Sequence, residues 1–551
     1  MAMTGSLRPK VEAWHRAIGF APPDGATVLR FGQLLAWDAS GRELPVRFGL
    51  ADGGVEIAVA TTGARYPIVI DPLATSVTWT ATGDREGAYF GTSVAGAGDV
   101  NGDGYDDVIV GAPDYSNDQS GEGAVFVFYG SPSGLRATHD WKVESNQADA
   151  AFGTSVASAG DVNGDGIDDV IIGAPGYANG GANAGAVFVY YGSKPAGLSA
   201  NPSSGTGPSL QPGWKVVFSQ SEANFGTSVA TAGDVNNDGV DDVIVGAPDY
   251  TSDPVNQVSQ GAAFVYHGSK PNGLSQEHDW KVESNQANAV FGTSVATAGD
   301  VNGDGYADVI IGAPGYTNDH SKEGAAFVYH GSKENGLSTT ADWRVESNQT
   351  EASLGWAVAS AGNVNGDDYD DVIIGAPWYD NGQTSEGAVL VYHGSKSGLS
   401  TVLSSPTGPI PNPDWRVESD QENAGLGWSV ATAGDVNKDG YAEVIVGAPW
   451  YRNGQTDRGA AFVYHGSASG LNSTFNWSSE SNQENSYFGY SVATAGDVNK
   501  DGYSDVVIGA PWYDAGENSE SGAAFLYHGG SDGSFYLIPN PGGGATAIYL
   551  D

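Results

Sequence analysis

Apolar and polar positions recur in a fixed order along residues 77–530. Trp141-Lys142-Val143-Glu144 alternates apolar and charged side chains, the period-two pattern of a strand with one face in water. The small residues of Phe152-Gly153-Thr154-Ser155-Val156-Ala157-Ser158-Ala159-Gly160 suit a strand crowded near an axis. Val170-Ile171-Ile172-Gly173-Ala174-Pro175 is a continuous apolar run, the mark of a strand buried on both faces. Gly185-Ala186-Val187-Phe188-Val189-Tyr190-Tyr191 follows after a variable loop. Helical periodicity is almost absent. Four strands per unit, repeated, predict the blades of a β-propeller.

The tryptophan of the charged strand occurs seven times, at Trp79, Trp141, Trp214, Trp280, Trp343, Trp415 and Trp477. No such strand follows Gly529, yet one precedes the first Phe-Gly pair, at Trp79. The pattern therefore predicts an all-β fold, a seven-bladed β-propeller of four-stranded blades, whose ring is closed by an N-terminal outer strand. Closure removes open sheet edges that would pair with other chains. The propeller is expected over residues 76–530. Residues 1–75 lie outside the repeat and carry strand-like runs such as Gly54 to Val59, expected as a small N-terminal β element. Residues 531–551 read as a C-terminal tail that opens on a Pro/Gly-rich stretch.

Between the small-residue strand and the buried strand stands an acidic loop, first seen as Asp99-Val100-Asn101-Gly102-Asp103-Gly104-Tyr105-Asp106-Asp107. Oxygen side chains fall at positions 1, 3, 5 and 9, with a carbonyl at 7 and glycine at the bend. This is the first part of the logic by which an EF-hand loop wraps calcium, without its bidentate glutamate. Five loops carry the full set. They are Asp99, Asn101, Asp103, Tyr105, Asp107; Asp161, Asn163, Asp165, Ile167, Asp169; Asp234, Asn236, Asp238, Val240, Asp242; Asp300, Asn302, Asp304, Tyr306, Asp308; and Asp497, Asn499, Asp501, Tyr503, Asp505. The fifth loop in chain order (Asn363, Asn365, Asp367, Tyr369, Asp371) starts with an amide and has Asp368 at the bend, which should weaken it. The sixth (Asp435, Asn437, Asp439, Tyr441, Glu443) has a longer acid at position 9. Plain Asx turns would explain one such loop; repetition in register argues for up to seven Ca²⁺ ions in a structural role.

Composition narrows the partners. The formal charge is −43 with 23 basic residues, which excludes phosphate-rich nucleic acid and disfavours anionic membrane surfaces. No cysteine is present, so disulfides and thiol chemistry are excluded. No apolar run approaches the roughly 20 residues that span a bilayer, so no membrane insertion is expected. The first residues show no signal peptide. Met1 to Ser6 looks like a cloning remnant. Five of nine histidines (His267, His330, His393, His465, His528) fill one repeated position, as expected of a structural role, and no nucleophile or metal-helix motif is present. The chain is expected not to be an enzyme.

The pairing of Phe-Gly with Gly-Ala-Pro around the acidic loop resembles the FG-GAP repeat family, whose best-known members are the propeller heads of integrin α-subunits. It reads Phe90-Gly91 with Gly111-Ala112-Pro113 and ends with Phe488-Gly489 and Gly509-Ala510-Pro511; leucine replaces phenylalanine at Leu354 and Leu426. The resemblance implies calcium loops on one face and recognition loops on the other. The close likeness among units is similar to bacterial surface or secreted members. It implies an extracellular or cell-surface location and a binding or adhesion module with a protein partner. The family also includes lectins, so a glycan ligand stays open, as does a scaffolding role. A polysaccharide lyase or hydrolase is the least supported reading.

On the face opposite the acidic loops, aromatic residues gather in the last three units. The candidates for partner binding are Trp356, Trp378, Tyr379, Trp428, Trp450, Tyr451, Tyr490, Trp512 and Tyr513. Tyrosine and tryptophan are common interface anchors, and such rings accept a basic side chain, a sugar or one another.

Overall fold

In a computed structural model, residues 77–530 are described apart from 180–182, 200–207, 209, 253–258, 334–335, 400–412, 453–456, 482 and 516–518. Of the segment before them, only strand backbone within 8–74 is described. Among the described residues every regular element is a strand. The propeller is one compact unit, Trp79–Leu526, and the N-terminal strands belong to a second. That second unit holds a four-stranded sheet (Arg8–Val11, Ile18–Ala21, Leu29–Asp38, Ile68–Ala74) and a hairpin (Val46–Ala51 with Gly54–Val59). The expected tail, 531–551, lies outside the described residues.

Seven four-stranded antiparallel sheets form the blades. The third shows the pattern: inner strand Ser228–Gly233, then Asp242–Ala247, Ala262–Tyr266 and outer strand Trp280–Glu283. Its second and third strands are buried at every position, as their continuous apolar runs require. The seventh blade takes Ser491–Gly496, Asp505–Ala510 and Ala523–Tyr527 from the end of the repeat. Its fourth strand is Trp79–Thr82, paired as Ala523↔Thr82 to Leu526↔Trp79. The ring closes as the sequence pattern predicts.

The Phe-Gly and Gly-Ala-Pro signatures have one steric origin. A Cβ on Gly111 would stand 2.0 Å from the carbonyl oxygen of Gly153 in the next blade. The same approach recurs at Gly173 against Gly226, Gly246 against Gly292, and on to Gly509 against Gly91. Only glycine fits, so one glycine from each signature forms the seam between neighbouring blades. Beside it, Phe152 is fully buried and meets Phe188 edge-on at 5.3 Å.

The outer-strand tryptophans also bridge blades. Trp280 meets Tyr329 of the next blade at 5.1 Å, edge to face, and its indole N–H donates to the Ser338 carbonyl at 3.0 Å. Trp141, Trp214 and Trp415 make the same pair of contacts with Tyr190 and Ser199, Tyr266 and Ser275, and Tyr464 and Asn472. Trp79 does so with Phe128 and Arg136 across the closing junction. The repeated tryptophan is thus a clamp between consecutive blades.

Candidate metal centres and an aromatic face

Each inner strand has a one-residue register shift just before the acidic loop, as between Ser158 and Gly160. The bulge turns the chain out of the sheet, and the loop then folds back on its own backbone. In the first loop, Asp99 accepts the N–H of Asp103 (3.0 Å) and of Gly104 (2.7 Å). Asn101 Oδ1 accepts the Asp103 N–H at 3.0 Å, and Asp103 accepts that of Tyr105 at 3.1 Å. The oxygens at positions 1, 3 and 5 therefore turn into the loop.

Position 9 is the buried end of each site. Asp107, Asp169, Asp242, Asp308, Asp371, Glu443 and Asp505 are all fully shielded from solvent. Asp107 accepts N–H groups from Val100 (3.1 Å) and Gly130 (2.8 Å), one on each oxygen. Among the described residues no lysine or arginine pairs with Asp107, Asp169, Asp242, Asp308, Asp371 or Glu443. Burial pushes the carboxyls of Asp107, Asp169, Asp242 and Asp308 up to about 8, and that of Asp371 up to about 7. A buried carboxylate that meets only neutral donors, here backbone N–H groups and the position-3 asparagine amide (Asn101 to Asp107, 3.5 Å; Asn163 to Asp169, 3.4 Å; Asn437 to Glu443, 3.1 Å), is an uncompensated charge, and a bound cation is what would neutralise it.

The two departing loops hold their shape. Asp368 adopts φ 73°, close to the 90° of Gly104, so the bend survives without glycine; aspartate is among the few residues that tolerate this region. Asn363 still accepts the N–H of Gly366 and Asp367. In the sixth loop, Asp435, Asp439 and Glu443 bring carboxylate oxygens within 4.8 Å of one another, the only such acidic group among the described residues. The longer glutamate arm reaches where an aspartate at position 9 stands further back.

Position 8 was not singled out from the sequence. Asp168 Oδ2 accepts the backbone N–H of Asp99, in the loop one blade earlier, at 2.8 Å. Asp241 does the same for Asp161, Asp370 for Asp300, and Asp106 for Asp497. Neighbouring loops are thereby tied through their first residues. Alanine stands there at Ala307 and Ala442, and serine at Ser504. The only sequence signal was a doubled acid at the loop's end.

On the opposite face, six of the nine predicted aromatic residues come together. Trp428 is the centre: it lies 4.7 Å from Trp356, 5.7 Å from Trp378, 4.7 Å from Trp450 and 5.4 Å from Tyr490, centroid to centroid. Trp512 continues the band beyond Tyr490 at 5.3 Å. All six are half-buried. Two further rings, Tyr487 and Tyr89, extend it against Trp512 at 4.7 and 5.2 Å; each precedes a Phe-Gly pair and has φ 52°.

Tyr379, Tyr451 and Tyr513 do not join the band. Tyr451 and Tyr513 pack edge-on to Phe462 and Phe525 in their own blades, and Tyr379 is buried beneath the Arg416 guanidinium. Tyr115, Tyr177, Tyr250 and Tyr316 pack likewise on Phe126, Phe188, Phe264 and Phe327, so the tyrosine repeated in every unit serves the blade core. Three buried glutamates, Glu122, Glu323 and Glu386, brace loops on this face by accepting N–H groups of Asn117, Asn318 and Asn381.

Between the fifth and sixth blades the band opens into a recess of about 260 Å³. Trp378, Trp450 and Pro377 wall it, Gly425 lies within it, and Ser385, Asn423, Arg452 and Asp457 supply polar groups.

The repeat units match the FG-GAP repeat over residues 90–128, 152–190, 225–266, 291–329, 354–392, 426–464 and 488–527. The chain belongs to the FG-GAP repeat family. The FG-GAP propeller is 30% identical over 230 residues to phosphatidylinositol-glycan-specific phospholipase D of Bos taurus, covering 40% of this chain and 26% of that protein. It is 30% identical over 252 residues to integrin alpha-V of Gallus gallus, 43% of this chain and 22% of the integrin. To integrin alpha pat-2 of Caenorhabditis briggsae it is 35% identical over 233 residues, 39% and 17%. The chain thus spans about a quarter or less of the length of these curated relatives. No helix among the described residues is long and apolar enough to cross a membrane.

Proposed function

We propose that this FG-GAP propeller is a calcium-stabilised, extracellular binding or adhesion module that recognises a protein partner through the face opposite the acidic loops. The aromatic band carries the reading. Half-buried tryptophans in mutual contact form a preordered apolar surface, and such anchors dominate interface energetics. The similarity to integrin α chains is in keeping with a binding role. The activity in the phospholipase's name is not carried over, because the match covers about a quarter of that enzyme.

Calcium is supported by donor chemistry: every side-chain ligand is a hard oxygen, and each loop buries one acid. Asp99, Asn101, Asp103 and Asp107, with the Tyr105 carbonyl, would hold the ion in the first loop, and the corresponding residues in the others. The bound ion would supply charge neutralisation and cross-linking of the loop. With asparagine at position 3 and no bidentate glutamate at 12, affinities belong with weak extracellular modules, roughly 10⁻⁴–10⁻³ M. That supports a location where calcium is plentiful.

The test is binding to a panel of immobilised extracellular proteins in calcium, with Trp428→Ala beside the parent. The reading expects at least one partner and a tenfold or greater loss in the variant. Equal binding by both, or no partner for the parent, would refute recognition by this face.

A further inference from the structure

Position 4 of the acidic loops varies where the ligand positions hardly do. It is glycine at Gly102, Gly164, Gly303 and Gly366, asparagine at Asn237, and lysine at Lys438 and Lys500. All seven take the left-handed backbone, with φ between 56° and 73°. Asn237 shows how far a side chain reaches from there: its Nδ2 donates to the Gly305 carbonyl, in the loop one blade on, at 2.8 Å. The two lysines make the same crossing with a charge. The Lys438 ammonium fills the space where a Cβ on Gly502 would stand and lies 5.5 Å from the centroid of the Tyr503 ring. The Lys500 ammonium does so at Gly104, 5.6 Å from the Tyr105 centroid. At the corresponding glycines of the second and sixth loops, Gly166 and Gly440, a Cβ would meet nothing within 4 Å.

The two junctions bridged in this way are those of the seventh blade. Lys438 runs from the sixth blade to the seventh, and Lys500 from the seventh to the first. That blade is the one assembled from both ends of the repeat. At its junction with the sixth, Ser504 stands where other loops have the position-8 acid, so Lys438 supplies a link that aspartate does not. Each ammonium stands against a bend glycine whose own N–H is held by the position-1 acid: Gly104 by Asp99 and Gly502 by Asp497, both at 2.7 Å. The charge is therefore within about 10 Å of these carboxylates, the Debye length at about 0.1 M salt. It repels a divalent ion held by them, and it offsets their charge when the ion is absent.

We propose that Lys438 and Lys500 are tethered cations that weaken calcium binding at the seventh and first loops and hold the junctions of the closing blade when calcium is scarce. The proposal rests on the calcium reading above. Its test compares the full chain with two double variants, Lys438→Met with Lys500→Met, and Lys438→Arg with Lys500→Arg. Both lysines are exposed, so neither change disturbs the core. Dialysed protein is titrated with calcium by calorimetry at about 0.01 M and again at about 1 M ionic strength, where the Debye length is about 30 Å and about 3 Å. At low salt the methionine variant should bind two of its ions about threefold or more tightly than the parent, and the gain should vanish at high salt. The arginine variant keeps the charge and should match the parent. In chelator the methionine variant should melt at least about 2 °C below the parent, and in saturating calcium no lower than the parent. A parent that binds no calcium sinks the metal reading and this proposal with it. Calcium bound equally by parent and methionine variant at low salt overturns this proposal alone. So does a gain shared by the arginine variant, or a loss in Tm equal with and without calcium.

Discussion

The buried acid at position 9 makes the metal reading testable through pH. Asp242 has a folded value of about 8 because burial disfavours its charge, and the ordinary carboxyl value is 3.8. Without metal, the folded chain keeps a proton between about pH 4 and 8 that the unfolded chain has released. That favours the folded state at low pH, and the advantage is lost as pH rises through this window. The slope is about 1.4 kcal/mol per pH unit for each such group. Two groups over two pH units come to about 6 kcal/mol, a large share of the roughly 5–15 kcal/mol that holds a domain folded. Bound calcium would cancel the slope, since the ion would take the ionised acid and displace the proton. Thermal melts of dialysed, metal-free protein should therefore fall in Tm from pH 5 to pH 8. Added calcium should raise Tm strongly at pH 8 and little at pH 5. A metal-free Tm that is flat or rising across this window, or a calcium effect equal at both ends, would refute the reasoning.

Other expectations concern the junctions between blades. Gly246→Ala places a methyl 2.0 Å from the Gly292 carbonyl and should destabilise by about 3 kcal/mol or more, read by urea unfolding; a loss under about 1 kcal/mol would show that the seam yields. Trp280→Phe removes one indole hydrogen bond and should cost about 1–2 kcal/mol, whereas Trp280→Ala should cost about 3–5; equal losses would mean that the ring's packing against Tyr329 contributes nothing beyond the bond to Ser338. Asp168→Ala frees the Asp99 N–H and should weaken calcium binding at the first loop together with stability, by about 1–2 kcal/mol in a calorimetric titration; unchanged calcium affinity would show that the loops act singly.

Blade number, strand order and ring closure were legible because each rests on a local period. The alternation in Trp141 to Glu144 and the apolar run from Val170 to Ile172 declare strand type without reference to anything distant. The folding of the acidic loops was legible because their oxygens and bend glycine fall at fixed local spacing. What stayed hidden depends on side chains meeting across blades. Tyr379 and Trp378 are neighbours in sequence, yet the turn after Asp371–Ala376 sends one into the core and leaves the other half-buried at the surface. Asp168 looked like another acid in an acidic loop; only the ring brings it to the Asp99 N–H.

The closing ladder also fixes how this ring would respond to tension. Trp79 pairs with Leu526 and Thr82 with Ala523, so the chain enters and leaves the propeller at the same end of one ladder. A pull on the two flanking segments would not shear the rungs together. It would peel them one at a time from Trp79–Leu526, each resisting with only about 1 kcal/mol. The six blades built from consecutive chain lie behind that seam, out of the line of force. An FG-GAP propeller loaded through its own flanks has a mechanical fuse at its seventh blade, whereas a ligand held on the aromatic face pulls on loops anchored in blades that need not open.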